Sequence, residues 1–225
     1  MVLRFLRSQD RERLDRVETK VQTMIGHCRK EFDLAMSALM GEVDADSVND
    51  ELRSTDHKVN LLEREVRREL AVHASVFGGI HTPAILLYMS IVKDIERVGD
   101  YAKNLLDLAI DGADFSRVPD VEQWRQLASE VSQFIEEAGD VFRRRDEASA
   151  RGMLTRGGQL LDVFDDAVTE LVRAEDPGAQ AVARALAHRY LKRVAAHLMN
   201  LLSAVIMPLD SIDFFYEDPE DRVDR

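Results

Sequence analysis

Cysteine is almost missing from this chain. The single one, Cys28, rules out an internal disulfide framework, and its apolar helical surroundings point to a buried thiol in a reducing compartment rather than to a nucleophile. Only 5 prolines and 11 glycines punctuate 225 residues, too few breakers for a loop-rich fold. Alternating runs of Val, Ile and Thr, the mark of strands, are also missing. Long apolar runs are lacking as well. The most apolar stretch, residues 84–92, is too short to cross a bilayer, so any membrane contact is expected to be peripheral. Arg4 and Arg7 interrupt the start, residues 1–13, which is therefore not expected to act as a secretory signal. Finally, there is no basic excess. With 42 acidic against 30 basic residues and a net charge of -12, the body repels a phosphate backbone, which sets nucleic-acid binding aside.

What is present is a helix-forming mixture of Leu, Ala, Val, Glu, Asp and Arg, 45% hydrophobic overall, which is enough to bury a core and excludes a disordered chain. Apolar positions at helical spacing define six long segments. The first spans about residues 10–40, with Val17, Val21, Met24, Ile25, Phe32, Ala35, Met36 and Leu39 on one stripe and Gly41 as its stop. The second starts near Asp46 or Ser47, either of which can cap it, and runs to about Ser75. A turn over residues 77–81 leads to Thr82 as cap and Pro83 at the first helical position, opening a third helix that ends near Asp111. Residues 112–120 read as a linker. The fourth helix reaches about Arg145. The fifth, residues 146–174, carries Gly152, Gly157 and Gly158, which predict a kink or break. After a turn at residues 175–178, the sixth runs to about Met207, where Pro208 stops it. The acidic end, residues 217–225, is expected to fray.

An internal repeat organises these segments. Arg97-Val98 recurs as Arg193-Val194, and Asn104-Leu105-Leu106 recurs as Asn200-Leu201-Leu202, both 96 residues on. The third helix thus corresponds to the sixth, and the expected fold is all-α, two three-helix bundles over residues 1–112 and 113–225.

The third helix also carries the residues with chemistry. Glu96 and Asp100 stand four apart and rise from one face. They belong to a slowly winding row, Tyr88, Val92, Glu96, Asp100, Asn104 and Leu108, beside the core stripe Ile91, Ile95, Val98, Ala102 and Leu105. Two like charges so close to a core repel and lose solvent, so a positive group should compensate them. The second helix offers a matching row, Asp56, Asn60 and Glu63, that antiparallel packing can bring opposite. Carboxylates and a carboxamide from two helices make an oxygen-rich cage suited to hard cations. Gly99 fits this reading, because a glycine inside a helix is unfavourable unless something approaches closely. Taken alone, however, a Glu-x-x-x-Asp pair in a chain that is 32% charged is usually a solvated face. The plain readings for His57, His73, His81 and His197 are packing or solvent contact, and for Arg143-Arg144-Arg145 a helix end complementing its dipole.

Asp56-His57-Lys58-Val59-Asn60 and Asp94-Ile95-Glu96-Arg97-Val98-Gly99-Asp100-Tyr101-Ala102-Lys103-Asn104 together resemble the repeat signature of the PhoU family. The resemblance implies two Glu/Asp-x-x-x-Asp motifs per bundle whose carboxylates hold a metal ion. Carried over, Asp56 and Asn60 match the first motif with an amide in place of its second acid, and Glu96 and Asp100 match the second. One site is expected in the first bundle, taking a divalent or trivalent ion from among Mg, Ca, Mn, Fe and Zn. In the second repeat Lys192 and Ala196 replace Glu96 and Asp100, and Asp162, Asp165 and Asp166 stand in uncertain register, so that bundle is expected to keep the shape without the metal.

For function, the resemblance implies a cytoplasmic, non-enzymatic regulator of phosphate uptake and starvation signalling. It would dock beneath a phosphate transporter, partner a sensor kinase and form a homodimer. Two alternatives come from other classes. A metal-free helical scaffold would pair Glu96 and Asp100 with Lys93, Arg97 or Lys103. A ferritin-like carboxylate protein would need Glu-x-x-His motifs on two helices, and the sequence has none.

Overall fold

A computed structural model describes residues 8–77, 81–176 and 178–213, the side chains of 8–13 and of Phe77 excepted. Six long helices account for nearly all of it: α1 (Ser8–Leu39), α2 (Ala45–Phe77), α3 (Thr82–Ile110), α4 (Val121–Arg144), α5 (Glu147–Arg173) and α6 (Ala181–Ile206). Short 3-10 turns at Phe115–Arg117 and Leu209–Ser211 complete the order. The turn expected at residues 78–80, Pro177 and the end expected to fray at residues 217–225 lie outside the described residues.

Local chemistry sets the helix ends. Gly41, at φ 70°, adopts the left-handed conformation that ends α1, and its N–H and that of Glu42 close back on Ala38 O and Ser37 O. The cap of α2 is Asp44, earlier than Asp46 or Ser47. Its carboxylate accepts the Ser47 N–H at 3.0 Å, satisfying a donor with no partner inside the first turn. The second bundle repeats the device, with Asp146 Oδ1 accepting the Ser149 N–H at 3.0 Å ahead of α5. Thr82 is the first residue of α3 and not its cap. His81 precedes it without a side-chain cap bond, and Pro83 sits in the first turn. Nor do the three glycines break α5, which is continuous. Gly157 lies under α6, where a Cβ would come within 2.7 Å of Met199 Cγ and Sδ. That glycine admits a neighbouring helix and bends nothing.

Helices α1, α2 and α3 pack on one another, α6 packs on both α4 and α5, and the two groups join through α1 against α4 and α3 against α6. The joining pairs run in opposite directions. Gln22 Nε2 donates to Gly139 O at 3.2 Å, Arg29 pairs with Glu136 at 2.7 Å and Glu18 pairs with Arg145 at 3.0 Å. Arg145 is therefore no solvated helix end, because at φ 54° it stops α4 and ties it to α1 and, through the Tyr88 hydroxyl at 3.3 Å, to α3. Six buried positions of the two leading helices correspond: Val21 with Trp124, Met24 with Leu127, Cys28 with Val131, Phe32 with Ile135, Ala35 with Ala138, and Leu39 with Phe142. Each fully buried large side chain contributes about 1.5–3 kcal/mol, so this shared apolar stripe suffices to specify both bundles. One buried pair in this register exchanges an acid for an aromatic ring. Glu31 is 0% exposed, and its counterpart is Phe134.

Candidate functional site

The packing of α2 against α3 brings the two acidic rows together. Lys103, one turn beyond Asp100, extends its ammonium between the helices and sits 2.8 Å from Asp56 and 2.8 Å from Asp100. The Asn60 amide donates to the other oxygen of Asp56 at 3.1 Å. Arg97 covers the rim, 3.2 Å from Asp100 and 3.8 Å from Glu96, while Glu63 pairs with Arg67 at 2.7 Å along its own helix. The compensating charge that the crowded carboxylates require is thus supplied by the protein. Its two sources differ in setting, since the Lys103 side chain is 19% exposed and that of Arg97 is 52% exposed.

A third helix contributes Glu31, which the sequence reading missed. Its side chain is buried, and neither carboxylate oxygen has a hydrogen-bond partner. Gly99 makes room for it, because a Cβ there would lie 2.7 Å from Glu31 Oε2. The close approach signalled by Gly99 is therefore that of a carboxylate. Burial, followed by the negative charge of Asp56, pushes Glu31 up to about 8, with Lys103 pulling against them. Glu96 is raised to about 7, again mainly by burial and then by Asp100 and Glu63. Burial opposes the charge on Lys103, but its hydrogen bonds to Asp100 and Asp56 outweigh that and raise its pKa. Beneath the cluster, Cys28 is buried and its thiol donates to Ile95 O at 3.2 Å. Burial pushes that thiol well above its ordinary range, which makes it a core residue and not a nucleophile.

Five acidic side chains therefore approach from three helices: Glu31 from α1, Asp56 and Glu63 from α2, and Glu96 and Asp100 from α3. Such a donor set suits a hard cation in kind. In arrangement it is closed around Lys103, and no three His, Cys, Asp or Glu side chains among the described residues stand together in metal-ligand geometry.

The second bundle handles the same place differently. Lys192 pairs with Asp165, which Arg189 also reaches at 3.1 Å. Asp162 and Asp166 are exposed. Where α3 has Lys103, α6 has the buried Met199. Phe134 and Met199 close over Gly157, so an apolar plug replaces the charged cluster. Between the bundles, Asp94 is 1% exposed and is held by His197 Nδ1 at 2.8 Å and Asn200 Nδ2 at 3.0 Å. His197 is neither a ligand nor simply solvated, but part of the α3–α6 joint, stacked on Tyr101.

Residues 21–109 match the family model described as PhoU domain. A Pseudomonas aeruginosa protein named phosphate-specific transport system accessory protein PhoU homolog is 29% identical over 204 residues, 86% of this chain and 82% of its own. Residues 21–109 thus carry a PhoU domain, and the likeness to a PhoU homolog runs along most of the chain. A Deinococcus radiodurans protein of the same name is 28% identical over 193 residues, covering 81% of this chain and 87% of its own. The crystal structure of PhoU from Pseudomonas aeruginosa superposes with a TM-score of 0.77 at 22% identity, over 89% of this chain and 99% of that one, which establishes the shared fold. The PhoU domain match falls on the bundle that holds the acidic cluster.

Proposed function

We propose that this chain is a regulator of phosphate uptake and of the response to phosphate starvation. It acts in the cytoplasm as a helical adaptor at the inner face of a phosphate transporter. The observation that carries this reading is likeness along most of both chains to two proteins named as accessories of phosphate-specific transport. No helix among the described residues is long and apolar enough to cross a membrane, in keeping with peripheral docking. A sensor kinase as second partner, a homodimer and the lack of catalysis belong to the same proposal. It is tested in a deletion strain by phosphate uptake and starvation-gene expression, both of which should change. Unchanged uptake together with unchanged expression would contradict it.

The proposal includes one metal ion in the first bundle, at Asp56, Asn60, Glu96 and Asp100. When bound, such an ion would supply multivalent positive charge that cross-links α2 and α3 and stiffens the docking body. The donor chemistry supports it, as do the two unpartnered oxygens of Glu31. A second reading, the metal-free scaffold, draws support from the Lys103 and Arg97 ion pairs, which already compensate Asp56, Glu96 and Asp100.

A further inference from the structure

We infer that Lys103 is a tethered counter-ion holding the cation position of the first bundle, that a metal ion enters only as its ammonium swings out, and that Glu31 then joins the ligand set. This inference rests on the metal reading above and turns its rival's main support into part of the mechanism.

The ammonium bridges two helices, with 2.8 Å contacts to Asp56 on α2 and to Asp100 on α3. A monovalent donor of fixed charge in that place satisfies two carboxylates but leaves Glu31 unserved, both oxygens buried and unpartnered. A buried carboxyl without a partner costs stability, so its retention calls for a state in which it is used. A divalent ion has the charge and the coordination number to engage Asp56, Asp100 and Glu31 together, which an ammonium with three donors on a flexible stem does not. Lysine is also suited to leaving. Its four-carbon stem is flexible and its side chain is 19% exposed, which leaves a way out to solvent, and Arg97 beside it is already on the rim.

The second bundle provides an internal control. There Glu31, Lys103 and Asp100 are absent together, with Phe134, Met199 and Ala196 in their places. Lys103 accompanies the acidic cluster and is not a general requirement of the fold.

The test is Mn²⁺ titration by calorimetry and equilibrium dialysis of the wild type, Lys103→Met and Glu31→Gln. Lys103→Gln serves as a second variant, and thermal unfolding monitors the fold. Alongside it, acylation of Lys103 in the wild type is followed by mass spectrometry with and without saturating Mn²⁺. Removing the competing charge should tighten Mn²⁺ binding about tenfold or more, and Glu31→Gln should weaken it about tenfold. Lys103 acylation should rise several-fold on Mn²⁺ addition. Mn²⁺ binding by Lys103→Met or Lys103→Gln with none by the wild type would overturn the inference, because the ammonium would then block the ion instead of yielding to it. Wild-type binding with unchanged Lys103 acylation, or with no gain in either lysine variant, would overturn the exchange and leave the metal reading standing. Equal affinity in Glu31→Gln would remove Glu31 from the set, and no binding by any protein would overturn both.

Discussion

The two bundles are built on one pattern and differ where it is interrupted. Val21, Met24, Cys28, Phe32 and Leu39 in α1 meet the same need as Trp124, Leu127, Val131, Ile135 and Phe142 in α4. Within that stripe, between Cys28 and Phe32, the first bundle has Glu31 where the second has Phe134, and the exchange extends through Lys103 and Met199 to Asp100 and Ala196. An apolar stripe is sufficient for the fold, as the second bundle shows. The charged cluster is thus a departure that the fold tolerates, and departures of this kind gather at sites of function.

The largest expected effect comes from moving one part of the cluster without the rest. Met199→Lys places an ammonium among Phe134, Gly157 and apolar neighbours with no carboxylate counterpart, and should destabilise by about 4 kcal/mol in urea denaturation. A loss under about 1 kcal/mol would mean that the two sites are interchangeable and would break the comparison.

The second effect is a pair of opposite pH responses, each on the order of 3 kcal/mol. Glu31 in the first bundle is raised from 4.5 to about 8, mainly by burial. A raised acid contributes stability that is complete below the unfolded value and is lost as pH rises toward 8. Glu31→Gln should therefore show a smaller loss than the wild type between pH 5 and pH 8. In the second bundle His188, tilted against Trp124 with ring centroids 4.3 Å apart, is lowered from 6.5 to about 4, mainly by burial. Its stability is complete above 6.5 and is lost as pH falls toward 4, so His188→Gln should flatten that acid limb. Parallel profiles for variant and wild type would remove the titrating group concerned.

These residues also show where sequence reasoning reaches its limit. Periodicity placed Asp56, Asn60, Glu96 and Asp100 on facing rows because residues four apart on a helix share a face wherever the helix goes. Glu31 escaped because a lone acid on an apolar stripe looks like an interruption, and only tertiary packing shows that α1 points it at Gly99. Lys103 was visible as a neighbour of Asp100, but its reach to Asp56 depends on how closely α2 and α3 pack. The α5 glycines misled for the same reason. Propensity registers their cost within one helix, whereas the close approach of Met199 comes from another. The caps shifted by only one to three positions, since Asp, Ser and Thr crowd those ends and several can accept the same N–H.

The smallest expected effect separates two glycines of α5. Nothing lies within 4 Å of a Cβ added at Gly152, whereas one at Gly157 meets Met199 at 2.7 Å. Gly152→Ala should stabilise by up to about 1 kcal/mol through helix propensity. Gly157→Ala should lose that gain and more, by about 1–2 kcal/mol, as Met199 is forced aside. Equal thermal shifts for the two would contradict the apolar plug that distinguishes the second bundle.

The most direct measurement is the metal content of purified protein after loading and dialysis, compared with Asp100→Ala of unchanged helicity. The account predicts one ion per chain, removable by chelator and lost in the variant. Equal metal in both proteins, or none in either, would contradict it.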